Sequence, residues 1–206
     1  MWLIILILST SGSTCCCMNK NELRKRGLDL RLAINEQEYQ ERNRLISEFF
    51  FSSFDISFLK VIHVFLPIVG KREPDIWPLI ERLRREYPHL RIVVPKVNGQ
   101  ELENYFFEGL HQLRTGAFGI SEPFQGLPAE SLTIDMVLVP TLLCDQNGNR
   151  LGYGKGFYDR FLKNCKRDCL KIGVSLLDPI SETIPTDNYD VPLDHLLYPG
   201  GVISFK

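Results

Sequence analysis

The chain has 206 residues, with 24 lysine and arginine residues against 25 aspartate and glutamate residues, and a formal net charge of −1. A hydrophobic content of 44% excludes an intrinsically disordered chain, and the modest glycine and proline content excludes a collagen-like or low-complexity one. The balanced charge argues against a dedicated nucleic-acid-binding protein, which normally carries a basic excess.

Residues 1–17 form an apolar stretch that ends in three adjacent cysteines. This stretch is shorter than the about 20 apolar residues of a transmembrane helix. It has no basic residues before its apolar part, as a secretory signal would have, and it matches a lipoprotein signal poorly. From Met18 onwards the sequence is typical of a charged helix of a cytosolic protein. We therefore expect residues 1–17 to be a leader or a mis-assigned start, and residues 18–206 to form one domain.

Hydrophobic periodicity predicts the elements of this domain. Short continuous apolar runs indicate strands that are buried on both faces, and amphipathic stretches indicate helices. In chain order the predicted elements are helices at residues 19–32 and 36–51, a strand at 61–66, a helix at 75–87, strands at 91–95, 102–107 and 135–140, a helix at 157–163, and strands at 170–176 and 202–205. This alternation predicts an α/β fold: a single three-layer α/β/α domain with a largely parallel sheet and two N-terminal helices.

The densest chemical signal lies at residues 149–160, after a predicted strand and before a predicted helix. Gly152, Gly154 and Gly156 alternate along the chain, so backbone N–H groups can approach an anion without obstruction by side chains. Arg150 and Lys155 add positive charge, as does the start of the following helix. The pattern predicts a phosphate-binding loop, although the spacing is neither that of the Walker motif nor that of the dinucleotide fingerprint. A glycine-rich turn with surface charges is the alternative.

Residues 150–160 resemble the signature of the 5-formyltetrahydrofolate cyclo-ligase family, also called 5,10-methenyltetrahydrofolate synthetases. Weaker likenesses follow the family in the same order along the chain: residues 20–24, residues 65–67 with Glu73, residues 118–123, residues 135–140 and residues 190–194. The chain departs from the family pattern at Tyr153, where some members carry a cation, and at Phe118, where many carry tryptophan. Tyr189 and Tyr198 stand where the family usually has histidine and threonine.

The resemblance implies ATP- and magnesium-dependent ring closure. In this reaction the γ-phosphoryl group moves to the formyl oxygen of 5-formyltetrahydrofolate, N10 attacks the activated carbon, and phosphate leaves to give 5,10-methenyltetrahydrofolate. Such a transfer needs positioning and charge neutralisation from the protein more than covalent help. The implied ligands are ATP, 5-formyltetrahydrofolate and Mg²⁺, and the implied protein is a cytoplasmic monomer without nucleic acid or stable membrane association.

The resemblance also assigns roles to individual residues. The catalytic residues are Lys155, Arg150 and Tyr158. The ATP-binding residues are Lys20, Arg24, Arg150, Gly152, Tyr153, Gly154, Lys155, Gly156, Phe157, Tyr158 and Asp159. The substrate-binding residues are Leu66, Glu73, Phe118 and Tyr158, and the magnesium ligands are Asp159 and Asp190, whose hard oxygen atoms suit that ion.

Other interpretations of the same residues stay open at this point. Lys20 and Arg24 are also consistent with a solvated helix face, Glu73 with the beginning of a helix, and Phe118 with a core position. For the whole protein, the alternatives are a catalytically impaired folate- or nucleotide-binding protein, and an isomerase or transferase that binds a phosphorylated ligand on a similar architecture.

Overall fold

The computed structural model describes residues 18–116 and 121–205. The expected leader at residues 1–17 and the substrate residue Phe118 therefore lie outside the described residues. Within those ranges the α-helices are α1 (Lys20–Leu32), α2 (Glu36–Ser53), α3 (Trp77–Glu86) and α4 (Phe157–Lys163). The strands are β1 (Val61–His63), β2 (Arg91–Asn98), β3 (Glu101–Phe106), β4 (Leu113–Thr115), β5 (Ser121–Pro123), β6 (Met136–Pro140), β7 (Leu143–Cys144), β8 (Arg150–Leu151), β9 (Leu170–Val174), β10 (His195–Tyr198) and β11 (Gly201–Ser204).

Among the described strands, seven form one sheet in the order β11-β10-β9-β6-β1-β2-β3. The five inner strands are parallel, and an antiparallel strand closes each edge. Ile62 in the centre pairs with Ile92 on one side and Met136 on the other. Parallel strands of this kind are covered on both faces, which explains their continuous apolar runs. The predicted α/β class with a largely parallel sheet is confirmed.

Helices cover both faces of the sheet, so the predicted three layers are also present. Ile62 and Leu138 point into the cluster that contains Ile46 of α2 and Leu83 of α3. Their neighbours along the strands point to the opposite face, where α4 packs on a second cluster. This alternation follows from the two-residue period of side chains along a strand.

Helix α1 lies outside these layers and packs on the hairpin formed by β7 and β8. Its N-terminus is fixed by a capping box, in which Asn19 and Glu22 bond to each other's backbone N–H groups. Leu23 is buried against the hairpin residues Leu143 and Leu151. At Gly27 a β-carbon would stand 2.7 Å from Leu143 Cγ, so glycine permits this close approach.

Several element boundaries differ from the predicted ones. Strand β1 ends at His63 rather than at residue 66, because the chain leaves the sheet there towards a cavity. Helix α3 begins at Trp77 rather than at residue 75, since the Asp75 carboxylate accepts a hydrogen bond from Trp77 N at 3.1 Å. The sequence analysis missed strand β10 and the two short hairpins, which have only two to four residues per strand.

The described part of the chain contains three cysteines, Cys144, Cys165 and Cys169, all of which are free thiols. None of its helices combines the length and the apolar character that crossing a membrane requires.

Candidate functional site

A cavity of about 410 Å³ lies beyond the carboxyl ends of β1, β2 and β6. Leu66, Pro95 and Pro140, which end or follow these strands, form part of its wall. Ligands of open α/β sheets bind at this edge of the sheet, where loops from neighbouring strands meet. The opposite wall is formed by the predicted phosphate-binding loop between β8 and α4.

The cavity brings most of the predicted site residues together. Those on its wall are Arg24, Leu66, Glu73, Arg150, Gly152, Tyr153, Gly154, Lys155, Gly156, Phe157, Tyr158, Asp159 and Asp190. Lys20 is not a wall residue, but its ammonium group bonds to Asp190. The wall residues come from positions between 24 and 190, so the fold joins segments that are far apart in sequence.

Two glycines of the loop adopt conformations that favour glycine. Gly154 has φ 83° and Gly156 has φ 68°, both in the left-handed region. Helix α1 holds the loop in place: Arg24 Nε donates to the Gly152 carbonyl at 3.3 Å, and a β-carbon at Gly154 would stand 3.0 Å from Arg24 Cζ. Since α4 has only seven residues, the loop amides and the nearby cations, rather than the helix, supply the positive character of this wall.

Arg150 is the most buried cation of the loop wall, with a side chain that is 6% exposed. One of its terminal nitrogens donates to Asp159 Oδ1 at 2.7 Å, and Val191 N donates to the same oxygen at 3.2 Å. Burial lowers the pKa of Arg150, while the charge of Asp159 opposes this effect. Within the described residues Arg150 Nε is buried without a hydrogen-bond partner. A buried guanidinium with an unused donor is well suited to bind an anion.

Lys20 joins the start of α1 to the C-terminal segment of the chain. Its Nζ lies 2.6 Å from Asp190 Oδ2 and 2.9 Å from Asp187 Oδ2. Burial lowers the pKa of Lys20, but the hydrogen bonds with Asp190 and Asp187 outweigh burial and raise it. Asp187 is a site residue that the sequence analysis missed. It stands three residues before Asp190, and no motif in the surrounding sequence marks it as a ligand.

Two buried groups that line the cavity have shifted pKa values: Glu73, which follows β1, and Tyr158, at the start of α4. Glu73 is 3% exposed and accepts a hydrogen bond from Ile68 N at 2.7 Å. Burial raises the pKa of Glu73 in spite of this bond and of its interaction with Tyr153. Burial also raises the pKa of Tyr158 well above its ordinary value. In the part of the chain that is described, the Tyr158 hydroxyl is buried and unpartnered, and its ring meets His63 edge to face.

Tyr153 links the glycine loop to residues that the sequence analysis did not select. Arg31, which is 1% exposed, donates a hydrogen bond to the Tyr153 hydroxyl. Lys71 Nζ lies 3.9 Å from the centroid of the Tyr153 ring. Arg31 could have been found, because it follows Arg24 by two helical turns on the same face of α1. Lys71 carries no such signal in the sequence.

The predicted magnesium ligands fit an ion that is shared with a nucleotide. Over residues 18–116 and 121–205 no group of three or more metal-ligating side chains is present. Asp159 and Asp190 both line the cavity. The contacts to Asp159 fall on Oδ1 and those to Asp190 fall on Oδ2, which leaves the second oxygen of each carboxylate outside these contacts. Mg²⁺ is commonly held by one or two carboxylates together with phosphates and waters, and this donor set suits that arrangement.

Comparisons with known proteins agree on one family. The sequence profile of the 5-formyltetrahydrofolate cyclo-ligase family matches residues 17–199. A protein of Mycolicibacterium smegmatis named 5-formyltetrahydrofolate cyclo-ligase is 39% identical over 92 residues, which cover 43% of this chain and 47% of that protein. The aligned segment thus spans about half of the length of this relative. An Escherichia coli K12 protein of the same name is 28% identical over 180 residues, covering 84% of this chain and 96% of that protein.

Solved structures give the same result. The solution structure of Aquifex aeolicus 5,10-methenyltetrahydrofolate synthetase superposes with a TM-score of 0.80 at 34% identity, covering 92% of this chain and 94% of that one. The Mycoplasma pneumoniae 5,10-methenyltetrahydrofolate synthetase has a TM-score of 0.69 at 27% identity, covering 88% and 99%. With the profile matching most of its length and a 34% identical relative covered almost completely, this chain belongs to the 5-formyltetrahydrofolate cyclo-ligase family.

Proposed function

We propose that this protein converts 5-formyltetrahydrofolate to 5,10-methenyltetrahydrofolate at the expense of ATP. The observation that carries the proposal is a cavity in which a cationic glycine loop shares the wall with apolar residues and a buried carboxyl group. The γ-phosphoryl group moves from ATP to the formyl oxygen, N10 then attacks the formyl carbon and loses its proton, and the carbon–oxygen bond breaks to release phosphate. ADP is the second product.

The glycine loop and its cations bind the phosphates of ATP in this proposal. Residues 152–156 all line the cavity, and the three glycines among them carry no side chains that would keep a phosphate from the backbone N–H groups. Arg150 lines the cavity, is fixed by Asp159, and has an Nε donor without a partner among the described residues. Lys155 and Arg24 add charge on the same wall. Phosphoryl transfer is promoted by such positioned charges, because the equatorial oxygens of the transferred group carry the developing negative charge.

The reduced folate occupies the apolar part of the cavity. Leu66, Val97 and Leu102 supply flat apolar surface, and the ring of Tyr158 supplies an aromatic contact. The Tyr158 hydroxyl gains a polar partner when substrate binds. Glu73 orients the pterin or the formyl end, since its buried carboxyl group is held in place by Ile68 N. Phe118 is proposed as a further wall residue on the resemblance alone.

When bound together with the nucleotide, Mg²⁺ would neutralise the charge of the phosphates. Asp159 and Asp190 are the side chains that would hold it, each through the oxygen that its ion-pair contacts leave available. Lys20 acts indirectly on this arrangement, because its two bonds fix the position of Asp190.

We further propose that the protein acts in the cytoplasm as a monomer. ATP and reduced folates are cytosolic compounds, which supports the cytoplasm, and the monomer is what the resemblance to the family implies. The expectation that the domain covers residues 18–206 stays a prediction, and intact-mass measurement of protein from its native host would test it.

The direct test mixes purified full-length protein with 5-formyltetrahydrofolate and Mg-ATP and follows the near-ultraviolet absorbance of the methenyl product together with ADP release. We expect both to rise in equal amounts, and neither to rise when ADP replaces ATP. Thermal stabilisation by both ligands without product would instead indicate a binding protein. Turnover of a phosphorylated ligand without ADP release would indicate an isomerase or transferase, and either result would contradict the proposal.

A further inference from the structure

Lys71 is a cation of the cavity wall that lies outside the glycine loop. It ends the short 3₁₀ segment Val69–Lys71, which follows β1, and it lines the cavity. The lysine is half-buried, and its Nζ stands 3.9 Å from the centroid of the Tyr153 ring. Arg31 holds that ring from the other end by a hydrogen bond to its hydroxyl. Tyr153 is therefore fixed between two cations that come from different elements.

The way in which Lys71 is held leaves its hydrogen-bonding capacity for a ligand. A cation over an aromatic face is attracted by the ring quadrupole, and this attraction uses none of the three N–H donors as an ion pair does. Lys20 provides the contrast, since two carboxylates occupy its ammonium group. Across the described residues Lys71 has no ion pair with a carboxylate within 4.0 Å.

The position of Lys71 relates it to the transferred group. Lys71 and Glu73 line the same cavity, and the two residues are separated by a single residue in the chain. Tyr153, on which Lys71 rests, belongs to the glycine loop. Lys71 thus contacts a residue of the loop assigned to the phosphates and shares the cavity with Glu73, which is assigned to the formyl end. The terminal phosphoryl group moves between these two sets of residues in the proposed reaction.

We propose that Lys71 binds the terminal phosphoryl group of ATP and that the Tyr153 ring positions it for this contact. The inference rests on the proposed function and adds a binding residue to it. Tyr153 stands where some family members carry a cation in the loop. In this chain the positive charge at that place comes from the segment after β1 instead.

The test compares nucleotides that differ only in the terminal phosphoryl group. Calorimetric titration of the full-length protein with a non-hydrolysable ATP analogue and with ADP gives a dissociation constant for each. We expect Lys71→Met to weaken binding of the analogue about tenfold or more, as for the loss of a charge-assisted hydrogen bond, and to leave the ADP constant within about twofold. Lys71→Arg, which keeps the positive charge, should bind the analogue nearly as well as the wild type. Lys25→Ala removes an exposed lysine of α1 and should change neither constant.

The role of the ring is tested separately. Tyr153→Leu removes the aromatic face while Lys71 remains, so it should reproduce the selective loss of analogue binding. Tyr153→Phe keeps the ring and should retain most of the affinity. ADP binding reports that each variant is folded.

Two results would overturn the inference. Equal losses for the analogue and ADP would place Lys71 at the inner phosphates, and a loss confined to 5-formyltetrahydrofolate would place it at the folate. The outcome is separable from that of the proposed function. If wild-type protein forms no methenyl product while Lys71→Met still loses the analogue selectively, only the proposed reaction fails. If product forms but the Lys71 variants bind the analogue like the wild type, only this inference fails.

Discussion

The polar side chains at the two ends of the sheet differ in how completely they are hydrogen-bonded. At the amino end, Asp135 stands directly before β6, and its Oδ2 accepts hydrogen bonds from Lys60 N at 2.7 Å and Val61 N at 2.8 Å. Its Oδ1 accepts from Lys166 Nζ at 2.5 Å. This carboxylate joins the starts of two neighbouring strands and the turn after α4, and both of its oxygens are in use.

At the carboxyl end the chain buries polar atoms without giving them partners. Within residues 18–116 and 121–205, Arg150 Nε, Tyr158 Oη and Arg31 Nε are buried and unpaired. An unpaired buried polar group costs about 1–3 kcal/mol, which a protein retains where a ligand later supplies the missing partner. The amino end of the sheet therefore contributes stability, whereas the carboxyl end loses some stability in order to bind a ligand.

The largest expected effect is at the carboxyl end. Lys155→Ala should lower kcat/KM for ring closure about 10²–10³-fold, as the loss of one preorganised group that stabilises developing charge does. The exposed position of Lys155 predicts little change in the thermal denaturation midpoint. Steady-state absorbance kinetics and a melting curve measure the two quantities.

Lys25→Ala serves as the control, since it removes an exposed lysine of α1 away from the cavity wall. A fall of less than about threefold for Lys155→Ala, similar to that of the control, would remove the loop lysine from the mechanism.

The next largest effect is at the amino end and affects stability alone. Asp135→Asn replaces one acceptor oxygen by an amide NH₂ that faces a donor, and it removes the charge that pairs with Lys166. We expect the free energy of unfolding to fall by about 2 kcal/mol, a typical value for hydrogen bonds to a charged group. Urea denaturation measures this loss. At urea concentrations below the unfolding transition, activity should stay within about twofold of the wild type. A loss of activity without a loss of stability would show that the amino end also serves the reaction.

A smaller effect is expected at Tyr158, where the same substitution should maintain or raise stability but lower activity. Tyr158→Phe removes a buried hydroxyl that has no partner in the described structure. The free protein should therefore keep its stability or gain up to about 1 kcal/mol, because an unsatisfied group disappears from the interior. The kcat for ring closure should fall, since the hydroxyl is reserved for substrate. A clear loss of stability in urea denaturation would show that the hydroxyl is satisfied in the free protein, and the comparison would then not hold for this residue.

The sequence predicted the parts of the site that are local. The glycine loop could be identified from sequence because it is built from consecutive residues, Gly152 to Gly156. Its conformation favours glycine at two of them, Gly154 and Gly156. The parallel inner strands were predicted because burial on both faces leaves continuous apolar runs. Helix α1 followed from its charged, leucine-rich pattern.

Features that depend on distant segments were missed for a physical reason. Lys71 and Tyr153 meet only because β1 and β8 deliver their loops to the same edge of the sheet. Nothing in the local sequence of Lys71 distinguishes it from a surface lysine. Strand β10 was missed because four residues carry too little periodicity. His63 was assigned no role from sequence, and the fold buries it completely beside Tyr158, where burial lowers its pKa to about 3 and keeps it neutral.

The smallest effects lie in the pH dependence of stability, where the two ends should have opposite signs. Burial opposes ionisation of Asp135, but the hydrogen bonds from Lys166, Val61 and Lys60 outweigh burial and lower its pKa below the ordinary 3.8. Its contribution is therefore fully present above pH 3.8 and is lost as the pH falls through the lowered pKa. Burial raises the pKa of Glu73 above the ordinary 4.5. At that residue the folded state loses stability as the pH rises from 4.5 through the raised pKa, because the unfolded chain ionises first.

Urea denaturation from pH 3 to pH 8, without ligands, separates the two contributions. The free energy of unfolding of wild type minus that of Asp135→Asn should rise with pH around and below 3.8 and then stay constant. The same difference for Glu73→Gln, which cannot ionise, should fall as the pH rises above 4.5. A Glu73→Gln curve parallel to that of the wild type over the whole range would mean that Glu73 titrates normally. In that case Glu73 would not lower the stability of the folded protein. Only the unpaired polar atoms would then distinguish the carboxyl end of the sheet from the amino end.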